Sequence, residues 1–139
     1  MTSSATVLVD TSAAVPLVVV DHADHALVFE ALRARRLGLS GQAAFETFSV
    51  LTRLPGSARR SPADIARLLA ASFPDTRHLG SRASAALLRA LAQHGFAGGS
   101  VYDAMVGAAA VEHGLTLVTR DRRAVDVYRQ LGVTFELLG

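Results

Sequence analysis

The period of the apolar positions changes repeatedly along this chain, and the changes mark out alternating strands and helices. Thr6 to Val9 is a short, nearly unbroken apolar run, as a strand covered on both faces requires, and it stops at Asp10. Thr11 or Ser12 can cap an apolar helix reaching about Val20. Residues 22 to 37 place Ala26, Phe29, Leu32 and Leu37 near helical spacing, which predicts a second helix before a very short strand around Leu39 and Ser40. A helix over 42 to 54 carries Glu46 and ends at Pro55 and Gly56. Ser61, Pro62 and Asp64 then open another with a capping residue, a proline in its first turn and an acid beside it. Residues 75 to 79 predict a third strand, and 81 to 94 a helix ended by Gly95.

The second half is punctuated more sharply. Gly98 and Gly99 form a turn, Ser100 is placed to cap, and Val101 to His113 is an Ala-rich helix closed by Gly114. Leu115 to Val118 predicts a buried strand, Arg122 to Leu131 a helix stopped by Gly132, and Val133 to Leu137 a last strand. Strands separated by helical segments imply right-handed crossovers, hence a parallel sheet with helices on both faces. The expected fold class is α/β, a three-layer α/β/α sandwich. With no linker, repeat or low-complexity segment, residues 1–139 are expected to form one domain.

Composition narrows the function classes. A chain of 139 residues can bury roughly two-thirds of its unfolded surface in one core. It needs no disulfide or structural zinc, and cysteine is absent. The start, MTSSATVLVD, lacks a basic region followed by a long apolar segment, and the run Ala13 to Val20 is too short to span a bilayer. The expectation is a soluble, cytoplasmic protein with no membrane partner. The net charge is only +2, but all 14 basic residues are Arg. Arginine's planar fork suits phosphate, although codon bias in a GC-rich genome explains the same preference. An apolar fraction of 50% with mean hydropathy +0.33 is high for a solitary domain, so a partner or second copy is expected to cover some surface.

Four acids, Asp10, Glu46, Asp103 and Asp121, each fall where a predicted strand ends or a helix begins. In a parallel sheet such positions gather at the carboxyl edge of the strands, where ligands bind. Carboxylates there, without Cys or Lys, point to hard divalent cations. Each acid also has a structural reading. Asp10 can cap a helix, and Ser100 with Asp103 has capping-box spacing. Glu46 can be a solvated helix residue, and Asp121 a turn acid paired with arginine. His22 and His25, flanked by Asp21 and Asp24, read better as a solvated helix start than as a transition-metal site.

The segments Val7-Leu8-Val9-Asp10-Thr11-Ser12, Ala44-Phe45-Glu46-Thr47-Phe48-Ser49-Val50-Leu51-Thr52-Arg53, Tyr102-Asp103-Ala104-Met105-Val106 and Leu117-Val118-Thr119-Arg120-Asp121, in this order, resemble a PIN-domain ribonuclease, most closely a VapC-type toxin of a toxin–antitoxin pair. The resemblance implies that Asp10, Glu46, Asp103 and Asp121 are the acidic metal-binding and catalytic residues. Asp10 and Asp103 would be direct ligands of Mg2+ or Mn2+, and Glu46 and Asp121 would complete a second ion or hold its waters. Thr11, Ser12 and Thr119 match nearby polar positions that orient acids or water. In a two-metal site with ions about 4 Å apart, one activates water and the other stabilises the leaving oxygen of a phosphodiester. Implied partners are an RNA substrate, a second copy in a homodimer, and a small VapB-like antitoxin whose arginine enters the acidic pocket while apolar residues cover the surface around Val15, Leu17, Phe48 and Leu51. Arg120, Arg122 and Arg123 flank Asp121 and are candidate RNA-phosphate contacts.

Rival families fail on named residues. A receiver domain would want a lysine that this chain lacks, and a haloacid-dehalogenase phosphatase would want an Asp where Ser12 stands. No GxGxxG or GxxxxGK occurs. The alternative from another class is a non-catalytic PIN-like module that works by association with RNA or protein. The presence of all four acids argues against it, since such a copy would be free to lose them.

Overall fold

In a computed structural model the described residues are 5–139; the first four, part of the amino-terminal stretch read above for a leader, lie outside them. The chain runs β1 (Thr6–Val9), α1 (Thr11–Val18), α2 (His25–Leu32), β2 (Arg36–Leu39), α3 (Ala43–Thr52), α4 (Pro62–Ser72), α5 (Ser81–His94), α6 (Ser100–His113), β3 (Leu117–Thr119), α7 (Val125–Gln130) and β4 (Phe135–Leu137). The four strands form one sheet in the order β2-β1-β3-β4, and every pair is parallel.

Strand β1 sits in the middle, and its alternation sets the layers. Val7 and Val9 face a core shared with Ala13, Val28, Leu32 and Phe73, which brings α1, α2 and α4 onto one side. Leu8 faces the other way, into Val106, Ala110, Tyr128 and Val133 of α6, α7 and the loop before β4. A third cluster, Leu87, Ala104 and Val127, fastens α5 to the outside of α6 and α7. The result is the expected α/β/α sandwich. Among the described residues no helix is long and apolar enough to cross a membrane.

Several expected elements change. The helix predicted over 22 to 37 stops at Leu32, because the amide of Arg35 turns back onto the Leu32 carbonyl. Leu37 therefore lies in β2, which pairs with β1 from Thr6–Arg36 to Val9–Leu39. The segment predicted as a third strand does run beside β2, as the amides of Asp75 and Arg77 donate to Leu37 and Leu39 carbonyls. The Leu39 amide, however, donates to the Thr76 hydroxyl and not to a backbone carbonyl, so the edge is reduced to a single bridge, Ser40–Arg77. Ser61 caps α4 as expected, accepting from the Asp64 amide at 3.1 Å. Ser100 does not cap α6; its hydroxyl turns back onto Ala97, and Gly99 takes the cap position. Leu51, expected near a partner surface, is buried in the domain itself.

Gly38 is required by that edge. A Cβ on Gly38 would lie 2.1 Å from the Asp75 carbonyl oxygen, a backbone atom that cannot swing aside. Gly38→Ala should therefore destabilise the domain by about 1–3 kcal/mol, as overpacking does. Gly99→Ala, where a Cβ meets nothing within 4 Å, should change stability far less. Urea denaturation of both variants checks this, and equal midpoints would refute the close approach.

Candidate active site

The carboxyl ends of the central strands open into a cleft of about 550 Å³, and Asp10, Glu46, Asp103 and Asp121 all line it. Strand β1 delivers Asp10, and the first turns of α3 and α6 deliver Glu46 and Asp103. Asp121 follows β3, at the head of a short 3-10 turn over Arg122–Ala124. Four acids separated by up to 111 positions therefore share one cavity because parallel crossovers return each segment to the same sheet edge.

Asp10 is the most buried of the four, 5% exposed. Its backbone starts α1, with its carbonyl accepting from the Ala14 amide, but its side chain makes no capping bond. The carboxylate is held by three hydroxyls: Ser12 donates to Oδ1 at 2.5 Å, and Thr119 and Tyr128 donate to Oδ2 at 2.5 and 2.9 Å. Two of those hydroxyls are themselves aimed by backbone. The Arg120 amide donates to Ser12 Oγ at 2.7 Å and the Asp121 amide to Thr119 Oγ1 at 3.0 Å, so both hydroxyl protons are directed at Asp10. Oδ2 thus receives two hydroxyls and Oδ1 one.

Burial pushes the Asp10 carboxyl above its ordinary range, and the three hydroxyl bonds only partly offset this. Glu46 is raised by burial and then by the charges of Asp103 and Asp10, with a hydrogen bond from Thr11 working against them. Thr11 is aimed in turn by the Thr47 hydroxyl at 3.2 Å. Asp103 is raised by burial and by Asp121 and Asp10, against a smaller opposing effect of Arg123. The Tyr128 phenol is pushed far up by burial and by the Asp10 charge, so it remains a donor. Asp121 accepts from the Arg123 amide at 3.0 Å and lies 3.8 Å from its guanidinium, which preserves the turn-acid reading beside its place in the cleft.

Neither Tyr128 nor Arg53, both lining the cleft, stood out in the sequence. Tyr128 sits at an apolar position of α7 and reads as core; the available signal was that a buried phenol needs a partner. Arg53, at the end of α3, reads as a solvated charge. The candidate phosphate contacts Arg120, Arg122 and Arg123 do not line the cleft. Arg120 pairs with Asp24 at 2.9 Å, Arg122 donates to the Gly139 carbonyl at 3.1 Å, and the Arg123 side chain is 97% exposed. The histidines near Asp24 are also engaged, His22 by the Asp24 amide and His25 by the Pro16 carbonyl.

The cleft's donor set is oxygen from carboxylates and hydroxyls, which fits a hard divalent cation. Among the described residues no three acidic, histidine or cysteine side chains form a ready-made cage for one ion. Magnesium suits such an open arrangement, since it keeps several waters and takes one or two carboxylates directly.

The PIN domain profile matches residues 7–130. The chain belongs to the PIN domain family. This PIN domain is 50% identical over 125 residues to ribonuclease VapC27 of Mycobacterium tuberculosis (strain ATCC 25618 / H37Rv), covering 90% of this chain and 91% of that one. It is 40% identical over 131 residues to ribonuclease VapC40 of Mycobacterium tuberculosis (strain CDC 1551 / Oshkosh), covering 93% and 96%. Its fold is similar to that in the crystal structure of VapBC2 from Rickettsia felis bound to a DNA fragment from their promoter, with a TM-score of 0.68 over 96% of this chain and 99% of that one, at 14% identity.

The raised carboxyls fix the sign of a stability effect. A carboxyl whose pKa is higher folded than unfolded holds more protons in the native state, so its contribution to stability is full below the ordinary value and is lost as pH rises through the raised one. Without metal, Asp103→Asn and Glu46→Gln should melt no lower than the parent at pH 7.5 or above, by about this linkage, and the advantage should fade near pH 4. Asp10→Asn should behave differently, because an amide oxygen cannot replace both oxygens that receive hydroxyls. Thermal melts across pH in EDTA check both, and a pH-independent loss in Asp103→Asn would contradict the crowding.

Proposed function

We propose that this PIN domain is a divalent-cation-dependent endoribonuclease that hydrolyses RNA phosphodiester bonds as the toxin of a VapC-type toxin–antitoxin pair. The observation that carries the reading is the gathering of Asp10, Glu46, Asp103 and Asp121 around one cleft at the carboxyl edge of the sheet. Support comes from two relatives named ribonucleases, at 50% and 40% identity over nearly the whole chain.

Asp10, Asp103, Glu46 and Asp121 would hold Mg2+ or Mn2+. When bound, such an ion supplies a Lewis acid for the phosphate and a more acidic water. The protein's own part is orientation and charge. Ser12, Thr119 and Tyr128 fix the Asp10 carboxylate, and Thr11 does the same for Glu46. Raised carboxyls give up protons when a cation binds, so affinity for the ion should increase with pH. The cleft's negative field weakens the approach of a polyanion while that charge is not neutralised.

Partners follow from the same reading. The Rickettsia felis complex contains toxin and antitoxin on promoter DNA, and by analogy this chain would pair with a small VapB-like antitoxin and form a homodimer. An antitoxin arginine entering the cleft would satisfy its carboxylates without metal. RNA, toxin and antitoxin would meet in the cytoplasm. The neighbouring reading frame should encode a short protein with a DNA-binding amino-terminal half and an arginine-containing apolar tail.

The test is cleavage of total RNA by the purified chain in Mg2+ or Mn2+. EDTA and Asp103→Asn should each abolish it, and magnesium should raise the melting temperature of the parent more than that of Asp103→Asn. Tyr128→Phe, which removes one of the hydroxyls that hold Asp10, should lower activity by about 10–100-fold. Full activity in folded Asp103→Asn would sink the assignment. No cleavage by the parent with either metal would leave the chain a binding module.

A further inference from the structure

One helix face supplies both signs of charge to the cleft. Along α3, Gln42, Glu46, Ser49 and Arg53 all line the cavity at spacings of three and four residues, so they form one stripe. Arg53 lies two turns beyond Glu46, about 10 Å along the axis. Its Nε donates to the Ser49 carbonyl at 3.1 Å, which folds the guanidinium back along the helix and leaves its terminal nitrogens for another acceptor. Among the residues lining this acidic cleft, Arg53 is the one cation.

Two aromatic rings also border the cleft where water would be expected to exclude them. Phe45 is 64% exposed and Tyr102 is 50% exposed. The Phe45 ring is extended by the exposed imidazole of His78, with ring centres 5.9 Å apart. These rings do not form an apolar face, because Gln42, Glu46, Ser49 and Arg53 interleave with them. The core of a protein–protein contact is depleted of charge, whereas exposed aromatics beside a cation suit stacked bases and a phosphate.

We propose that Arg53 anchors a phosphate next to the one being cleaved and that Phe45 and Tyr102 stack the bases beside it, so that these three residues position the strand in the cleft. This rests on the ribonuclease reading above. Neither Arg53 nor the rings touch the reacting atoms; they position the strand. Paired bases cannot reach the rings without unstacking, so a duplex serves as a control that lacks these contacts. The guanidinium also lets a polyanion approach a site whose other charges are negative.

The test uses a fluorescent single-stranded RNA oligonucleotide of mixed sequence, and the same strand annealed to its complement. Binding is read by anisotropy in EDTA across a salt series, and cleavage kinetics are read in Mg2+. Arg53→Gln should weaken single-strand binding, reduce the steepness of log affinity against log salt by about 0.7, and raise KM more than it lowers kcat. Arg53→Lys should restore the salt slope. Phe45→Leu and Tyr102→Leu should each weaken single-strand binding about fivefold or more, with little effect on duplex binding. Melting temperatures of these surface variants control for folding. If the parent cleaves RNA but all three substitutions leave binding and KM unchanged, the anchor is wrong and the nuclease reading stands. The anchor is equally overturned if Phe45→Leu abolishes self-association and leaves RNA binding intact, which would make this face a contact between copies. If the parent neither binds nor cleaves RNA, the nuclease reading fails and takes the anchor with it.

Discussion

Asp10 is a carboxylate almost removed from water at the end of the central strand, and the remainder of the site is arranged around the cost of keeping it there. Desolvating a carboxylate costs several kcal/mol, and hydrogen bonds alone seldom recover it. Three hydroxyls donate to Asp10, yet its pKa remains raised, so the hydroxyls fix direction without cancelling the penalty. Glu46 and Asp103 add to the imbalance, because each feels the charge of Asp10. What offsets it is apolar burial on both faces of β1, where Leu8 and Val9 are fully enclosed between the two main cores. Residues 6–10 thus hold two fully enclosed apolar side chains and the most buried of the four acids.

That coupling explains which parts were legible in the sequence. The run Thr6 to Val9 ending in Asp10, the Ser61-Pro62-Asp64 helix start and the Gly114 stop each write a local rule in adjacent residues, and the structure follows them. The end of α2 was hidden, because no Gly or Pro marks the turn at Arg33 to Arg35 and Leu37 happens to continue the helical spacing. The 75–79 edge falls short of a strand because a side chain, Thr76, replaces a backbone acceptor, which periodicity does not encode. Within the candidate site, acids at element ends were readable from position alone. The groups that aim them were only partly so: Ser12 and Thr119 neighbour their acids in sequence, but Tyr128 reaches Asp10 across 118 positions. Its role depends on the packing of α7 against α6, which no local pattern encodes.

The arginines show a second constraint. A free guanidinium among crowded carboxylates would pair with them, pull their pKa values down and compete with any cation for the same oxygens. This chain carries 14 arginines, yet several near the site are committed elsewhere. Arg120 follows Thr119 directly, but its side chain is turned onto Asp24 while its amide serves Ser12. Arg122 is held by the Gly139 carbonyl at 3.1 Å. Arg123 reaches toward Asp121 and opposes the shift at Asp103, but from an almost fully exposed position where water screens it.

Tethering these cations, with Arg53 held about two turns beyond Glu46 along α3, leaves Glu46 and Asp103 largely unneutralised by the chain itself, which the upward direction of their pKa shifts records. Under the proposed function the balancing positive charge would come from outside, as protons, metal ions or a partner's guanidinium, and these three would compete for one set of oxygens. Competition of this kind would make occupancy of the cleft depend on pH, on free divalent cation and on partner concentration together. A lower pH would weaken metal and guanidinium binding alike, because both require the carboxylates ionised, whereas extra divalent cation would displace protons and guanidinium together. The burial that raises these carboxyls therefore also makes the cleft responsive to whichever cation is in supply.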